Sequence, residues 1–213
     1  EKFPNILFEG CSAGGGRFDA GVLAYMPQIW TSDNSDAIAR LKMQYSTSMC
    51  YPVYSISSHV TASPNHQCGR VTSLKTRADV AYCGTFGYEL DVTKMSDEEF
   101  EEIKAQIEFE KRIQDLMCDG DLYRLINPYE TNYCSWEVIS KDKKHIFVMV
   151  CKVLAVAQTK SEKVKLQGLD VNKRYRNMLT GKVYSGDFLM YHGIRVNYEM
   201  KDFSTVVFEF AEI

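Results

Sequence analysis

Apolar residues in the first part of the chain fall in short runs, and helix-like spacings separate them. Residues 6–8, 28–30, 51–56 and 83–90 read as four short strands. Between them, residues 21–25 and 78–82 read as short helical pieces, and Ile38, Leu41 and Tyr45 line one face of a longer helix. Ser96 and Glu99 have capping-box spacing and open the longest predicted helix, residues 97–117. Its inner face would use Phe100, Ile103, Ile107, Ile113 and Leu116, and its many Glu and Lys residues read as a solvated face. Strands alternating with helices predict parallel βα units. Four strands precede the long helix, whereas a closed parallel barrel needs eight.

The pattern changes after Gly120. An apolar run covers residues 145–156, and short strands are predicted at 164–166, 182–184, 194–198 and 205–210. Val206, Phe208 and Phe210 alternate with Thr205, Val207 and Glu209, the period of a strand with one buried face. Gly168-Leu169-Asp170 and Ser185-Gly186-Asp187 read as turns. The expectation is two domains: residues 1–120, α/β, and residues 121–213, an all-β sandwich, with the boundary near 119–122.

Composition narrows the function classes. Of 213 residues, 45% are apolar and 25% charged, enough to build a globular core. The formal charge of -3 comes without a basic stripe, so a nucleic-acid partner is not expected. No run of 18 apolar residues suggests a membrane span. The seven cysteines include no CxxC and an odd number cannot all pair within the chain. They are expected to be buried free thiols in a reducing, cytoplasmic setting. The chain opens with Glu1-Lys2-Phe3-Pro4, without an initiator Met or a signal-peptide pattern, which fits a start inside a domain.

Few residues suggest chemistry by spacing alone. The run from Cys11 to Arg17 matches neither glycine-rich phosphate-binding pattern, but it could form a turn that lets a backbone approach a ligand. Asp33 follows an apolar strand ending at Trp30, and in an α/β barrel that strand end faces the active site. Asp33 and Asp36 are also both potential helix caps. Trp30 reads as a core residue more than a sugar platform. His59 and His66 lack a metal-site spacing, and Asn65 and His66 read as holding a loop. Ser12, Ser32 and Ser58 do not sit in a nucleophile-elbow motif.

Five segments together carry a resemblance. Phe8-Glu9-Gly10-Cys11-Ser12-Ala13-Gly14-Gly15-Gly16-Arg17-Phe18-Asp19 and Trp30-Thr31-Ser32-Asp33-Asn34 resemble two signature segments of the α-galactosidases of glycoside hydrolase family 36. Pro64-Asn65-His66-Gln67, Gly84-Thr85-Phe86-Gly87-Tyr88-Glu89-Leu90 and Gly181-Lys182-Val183-Tyr184-Ser185-Gly186 follow in the same order. The resemblance implies the second half of a (β/α)8 TIM barrel followed by a small antiparallel β domain. It implies retaining hydrolysis of terminal α-galactosyl residues in oligosaccharides such as melibiose and raffinose. By resemblance, Asp33 is the acid/base, and Cys11, Ala13 and Gly14 contact the bound galactose. The family has Gly where this chain has Ala13, so a methyl group there is expected to affect substrate fit.

The family's nucleophile is an Asp in a Lys-Trp-Asp segment, and no such segment occurs in these residues. Retention requires that second carboxylate, about 5 Å from the acid/base. The isolated chain is therefore expected to be inactive, and its first 120 residues to need a covering partner. The expected partners are α-galactosides and the N-terminal part of the enzyme, with a homo-oligomer of the complete protein also in view. No metal or organic cofactor is implied. Two alternatives are a non-catalytic galactoside-binding or structural fragment and a related raffinose-family glycosyltransferase.

Overall fold

The computed structural model describes residues 2–157, 162–197 and 199–213. The chain is a mixed α/β protein with an antiparallel sheet, and it divides into two compact units, Glu1–Ile107 and Glu108–Ile213. In the first, β1 (Glu9–Gly10), β2 (Gln28–Trp30), β3 (Ile56–Thr61) and β4 (Thr85–Glu89) form a parallel sheet in sequential order. The helical pieces are α1 (Ser12–Gly15), a single turn wound left-handed, α2 (Ala20–Leu23), α3 (Ala37–Thr47), α4 (Leu74–Ala81) and α5 (Asp97–Asp119). Ile29, Leu41, Ile56, Val60, Ala78 and Val80 are buried and form much of the core between sheet and helices.

Local chemistry sets the helix starts. Asp36 caps α3 by accepting from the Ala39 N–H at 2.9 Å, and Ser73 caps α4 by accepting from Thr76 N–H at 3.0 Å. The capping box of α5 is present: Ser96 N–H donates to Glu99 Oε2 at 3.0 Å, and Glu99 N–H to Ser96 Oγ at 3.3 Å.

Several expected boundaries shift. The apolar residues 6–8 are not in the sheet. Ile6, Leu7 and Phe8 are 53%, 85% and 49% exposed, and pairing with β2 begins only at Glu9. Residues 51–56 are mostly not strand, because Pro52 leads into a 3-10 turn, Val53–Ser55, and β3 starts at Ile56. The Ser73 cap starts α4 four residues before the expected position. On α5, Ile103, Ile113 and Leu116 are buried as expected. Phe100 and Ile107 are exposed, and Gln106 and Met117 take inner positions instead. Gln106 is buried because its side chain accepts from Tyr88 Oη at 2.9 Å and its carbonyl from Tyr82 Oη at 3.2 Å.

Among the described residues, the second unit contains the last part of α5 and eight strands: β5 (Asp121–Ile126), β6 (Tyr133–Ile139), β7 (His145–Lys152), β8 (Lys163–Val164), β9 (Arg174–Asn177), β10 (Val183–Ser185), β11 (Ile194–Arg195) and β12 (Ser204–Glu212). Six make an antiparallel sheet ordered β10-β9-β12-β7-β6-β5, and β8 pairs with β11. A π-helical turn, Phe188–His192, precedes β11. The expected strand 194–198 stops at Arg195, and Tyr198 lies outside the described residues.

The central strands are buried on both faces. Tyr133, Ile139, Ile146, Val148, Val150 and Phe210 pack with Val164, Leu166, Leu169 and Leu189. The alternate residues include Trp136, Phe147 and Met149, all buried. Phe109 of α5 lies 6.2 Å from Phe147, ring to ring. This two-sided burial explains why residues 146–151 are uninterruptedly apolar. The division between the units falls within α5, whose later residues Ile113, Leu116 and Met117 are buried.

Candidate functional site

The loops that follow β1, β2 and β3 hold the residues singled out above. After β1, Ser12, Ala13, Gly14 and Gly15 have φ of 53°, 56°, 71° and 87°. This left-handed turn is closed by Gly15 N–H donating to Cys11 O at 2.7 Å and Gly16 N–H to Ser12 O at 3.1 Å. A non-glycine residue in this region costs roughly 1–2 kcal/mol. Ser12 and Ala13 accept that cost, whereas at Gly14 and Gly15 contact adds a second constraint. A Cβ on Gly14 would sit 2.8 Å from the Asp33 backbone nitrogen, and one on Gly15 would sit 3.1 Å from Thr31 Cα. The glycines therefore let the turn lie directly on the backbone of residues 31–33.

That contact brings the four predicted site residues together. Cys11 Sγ lies 4.0 Å from Asp33 Oδ1, a long thiol contact, and Cys11, Ala13 and Asp33 are exposed while Gly14 is half-buried.

The acidic neighbours are distinguishable by their commitments. Asp36 is buried, caps α3, and pairs with Arg70. Asp19 accepts from Val22 N–H at 2.8 Å and caps α2. Asp33 has no capping role; its side chain meets only the Cys11 thiol among the described contacts. Of the two aspartates three residues apart, one is structural and the other is free for chemistry.

Behind Asp33 lies a frame that spacing did not predict. Gln67 Nε2 donates to Asp33 O at 2.6 Å while its Oε1 accepts from Ser35 N–H at 3.0 Å. Buried Asn65 donates to Ser35 Oγ at 3.1 Å, and Thr61 Oγ1 donates to Ser35 O at 2.9 Å. Buried Arg40 donates to Ser57 O at 2.6 Å and to Ser32 O at 3.4 Å, and its guanidinium lies 4.3 Å from the Trp30 ring centroid. Burial lowers the Arg40 pKa to about 10, against a smaller opposing pull from Glu89.

Trp30 is a core residue, as its type suggested. It is 9% exposed and stacks on His59 at 4.6 Å. His59 Nδ1 lies 3.3 Å from Glu89 Oε2. Asn65 has the expected loop-holding role, whereas His66 is exposed. Among the described residues no three His, Cys, Asp or Glu side chains group as a metal site, and no helix is long and apolar enough to cross a membrane. None of the seven cysteines is in a disulfide among the described residues. Only Cys83, Cys134 and Cys151 are buried, while Cys11, Cys50, Cys68 and Cys118 are exposed because they lie in loops or near helix ends. The expectation of buried thiols thus holds for three.

Residues 1–120 match the family model Melibiase, and residues 133–210 match the glycosyl hydrolase family 36 C-terminal domain. The chain is 48% identical over 212 residues to alpha-galactosidase AgaA of Geobacillus stearothermophilus, and likewise to alpha-galactosidase Mel36A of Lactobacillus acidophilus. It is covered completely in both alignments but spans 29% of each relative's length. It superposes on the galactosidase domain of the alpha-galactosidase-sucrose kinase AgaSK with a TM-score of 0.96 at 43% identity, covering 100% of this chain and 30% of that one. A crystal structure of an AgaA variant in complex with raffinose gives 0.96 at 47% identity, covering 100% and 29%. The chain belongs to the melibiase family, and its second part is a glycosyl hydrolase family 36 C-terminal domain.

Proposed function

We propose that these residues form the acid/base half of a retaining α-galactosidase site, with residues 1–120 as the second half of a (β/α)8 barrel and residues 121–213 as its accompanying β domain. The observation that carries the reading is Asp33. It is an exposed carboxylate just beyond the carboxyl end of β2, free of capping duty, and held against Cys11 and the glycine turn. That strand end is where barrel enzymes build their sites.

In this reading Asp33 protonates the glycosidic oxygen as the sugar transfers to a second carboxylate. It then removes the proton from the incoming water as the galactosyl-enzyme is hydrolysed. The second carboxylate belongs to chain outside these 213 residues, since Asp19 and Asp36 are occupied as caps. Cys11 and the backbone of Ala13 and Gly14 line the galactose site. The exposed Ile6, Leu7 and Phe8, beside the edge strand β1, fit a sheet that continues into the rest of the barrel. α-Galactosides such as melibiose and raffinose are the substrates.

The test is Asp33→Ala in the complete enzyme. Hydrolysis of melibiose should fall about 100- to 10,000-fold. Formation of the galactosyl-enzyme from a substrate with a very good leaving group should fall far less, and azide, displacing the β-linked enzyme carboxylate in place of water, should restore turnover of that substrate as α-galactosyl azide. Equal losses on both substrates, with no azide product, would remove Asp33 from the acid/base role.

A further inference from the structure

The acid/base loop after β2 has its own backbone clamp, contributed by the loop after β3. We infer that Gln67 is a positioning residue for Asp33, and this rests on Asp33 being the acid/base. The Gln67 side-chain amide faces two backbone groups that flank residue 34. Its Nε2 donates to the carbonyl of Asp33 at 2.6 Å, and its Oε1 accepts from the N–H of Ser35 at 3.0 Å. A carbonyl and an N–H two residues apart are what an extended segment offers to a neighbouring strand. The Gln67 amide therefore substitutes for a strand partner where the sheet has ended. The chemistry fixes the amide orientation, because the Asp33 carbonyl can only accept and the Ser35 N–H can only donate.

Gln67 is held in turn. Its own N–H donates to Asn65 Oδ1 at 3.0 Å, and Cys68 N–H donates to the same oxygen at 3.2 Å. Asn65 N–H donates to Arg70 O at 2.9 Å, and Gly69 N–H to Asn65 O at 2.8 Å, which closes this loop on itself. The buried Asn65 side chain also reaches Ser35 Oγ, two residues beyond Asp33. The amide of Gln67 thus ties Asp33 to a loop that is internally hydrogen-bonded. The Asp33 side chain leaves from the Cα adjacent to the clamped carbonyl, so the clamp fixes where the carboxylate starts. Proton transfer depends on that position, since a displacement of about 1 Å can cost 100-fold.

A merely structural glutamine would affect all substrates alike. A positioning glutamine affects the step that needs a proton. The experiment compares kcat/KM for melibiose and for α-galactosyl fluoride, whose leaving group needs little protonation, in the complete enzyme. Because kcat/KM reports the steps through formation of the galactosyl-enzyme, Gln67→Ala should lose about 10- to 100-fold on melibiose. It should lose less than about 3-fold on the fluoride, where proton transfer contributes little. Gln67→Glu gives a second readout. Ionised, it still accepts from Ser35 N–H but sets a carboxylate oxygen against the Asp33 carbonyl, so at neutral pH it should be no better than alanine. Protonated, it can donate to that carbonyl. Its melibiose kcat/KM relative to wild type should therefore rise as pH falls toward about 4–5, the ordinary glutamate range, while that of Gln67→Ala stays flat.

Asp33→Ala in the same assays separates the two claims. If Asp33→Ala shows the substrate split and Gln67→Ala shows equal losses or none, the positioning role is wrong and the acid/base reading stands. If Asp33→Ala itself shows no split, the acid/base reading fails and the positioning role fails with it.

Discussion

β6 and β7 face each other through seven residue pairs, and β7 and β12 through eight, whereas β1 and β2 share two pairs and β2 and β3 share two. The long ladder of the second unit satisfies its own backbone and buries apolar side chains on both faces. The short parallel ladder of the first leaves backbone groups at the strand ends, and buried side chains attend to them. Arg40 donates to the carbonyls of Ser57 and Ser32 and Arg77 to that of Thr61, while Gln44 serves the carbonyls of Val80 and Cys83 at the end of α4. A long sheet tolerates apolar side chains on both faces because its polar backbone is already paired. A short sheet that ends in functional loops requires polar side chains in its interior. The first arrangement gives stability by burial, and the second gives loops fixed in place by directional bonds.

The largest stability effect should come from cutting the apolar interior of the second unit. Phe147 is fully buried and packs against Phe109. Phe147→Ala should cost about 3–5 kcal/mol by lost transfer energy and the cavity left behind. A urea unfolding series measures it. A loss below about 1 kcal/mol would mean that the face of the sheet toward α5 contributes little, against the expectation from its burial.

Much of this contrast was visible in the sequence, although not evenly. The alternation ending in Val206, Phe208 and Phe210 gave the direction of β12, and the capping box located the start of α5. β5, β6 and β9 were missed. β6 reads Tyr-Cys-Ser-Trp-Glu-Val-Ile, and Ser135 and Glu137 interrupt any apolar pattern although both are buried. Ser135 is paid for by donating to Met149 O at 2.8 Å, a partner 14 residues away that local spacing cannot reveal. At the site, Asp33 and the glycine turn were legible through motif resemblance, and the burial of Trp30 through its residue type. Arg40 and Gln67 were not legible as a frame. Their partners are backbone carbonyls and an N–H, which every residue carries and no side-chain pattern marks.

Glu137 sharpens the comparison with an effect that depends on pH, because it is a buried carboxyl inside the apolar unit. It lies on the sheet face shared with Tyr133 and Ile139, opposite Val148, and accepts from Gln167 N–H at 2.8 Å. Burial raises its pKa from 4.5 to about 8, with the Gln167 bond pulling the other way. The folded state therefore prefers the protonated acid. Below about 4.5 both states hold the proton and there is no pH-dependent cost. As pH rises from there to about 8, only the unfolded state ionises, so stability falls by roughly 1.4 kcal/mol per pH unit at most. Glu137→Gln removes that dependence. Its stability relative to wild type should improve steadily between pH 5 and 8, as read from urea midpoints. An unchanged difference across that range would show that Glu137 titrates normally.

The smallest of the three stability effects should come from Arg40, and it tests whether the first unit depends on its side-chain donors. Arg40→Met keeps an apolar stem to pack near Trp30 but removes the donors to Ser57 O and Ser32 O. A buried acceptor left without its partner costs about 1–3 kcal/mol. Part of that loss is offset, because the wild-type guanidinium is itself buried, with Nε lacking a hydrogen-bond partner. Arg40→Lys retains the charge but has no planar fork to serve two carbonyls, so it should be no more stable than the methionine variant. Both should unfold at lower urea than wild type. If Arg40→Met were as stable as wild type, desolvation of the guanidinium would outweigh its two bonds. The first unit would then be stabilised by burial like the second, and the polar frame around the Asp33 loop would serve geometry alone.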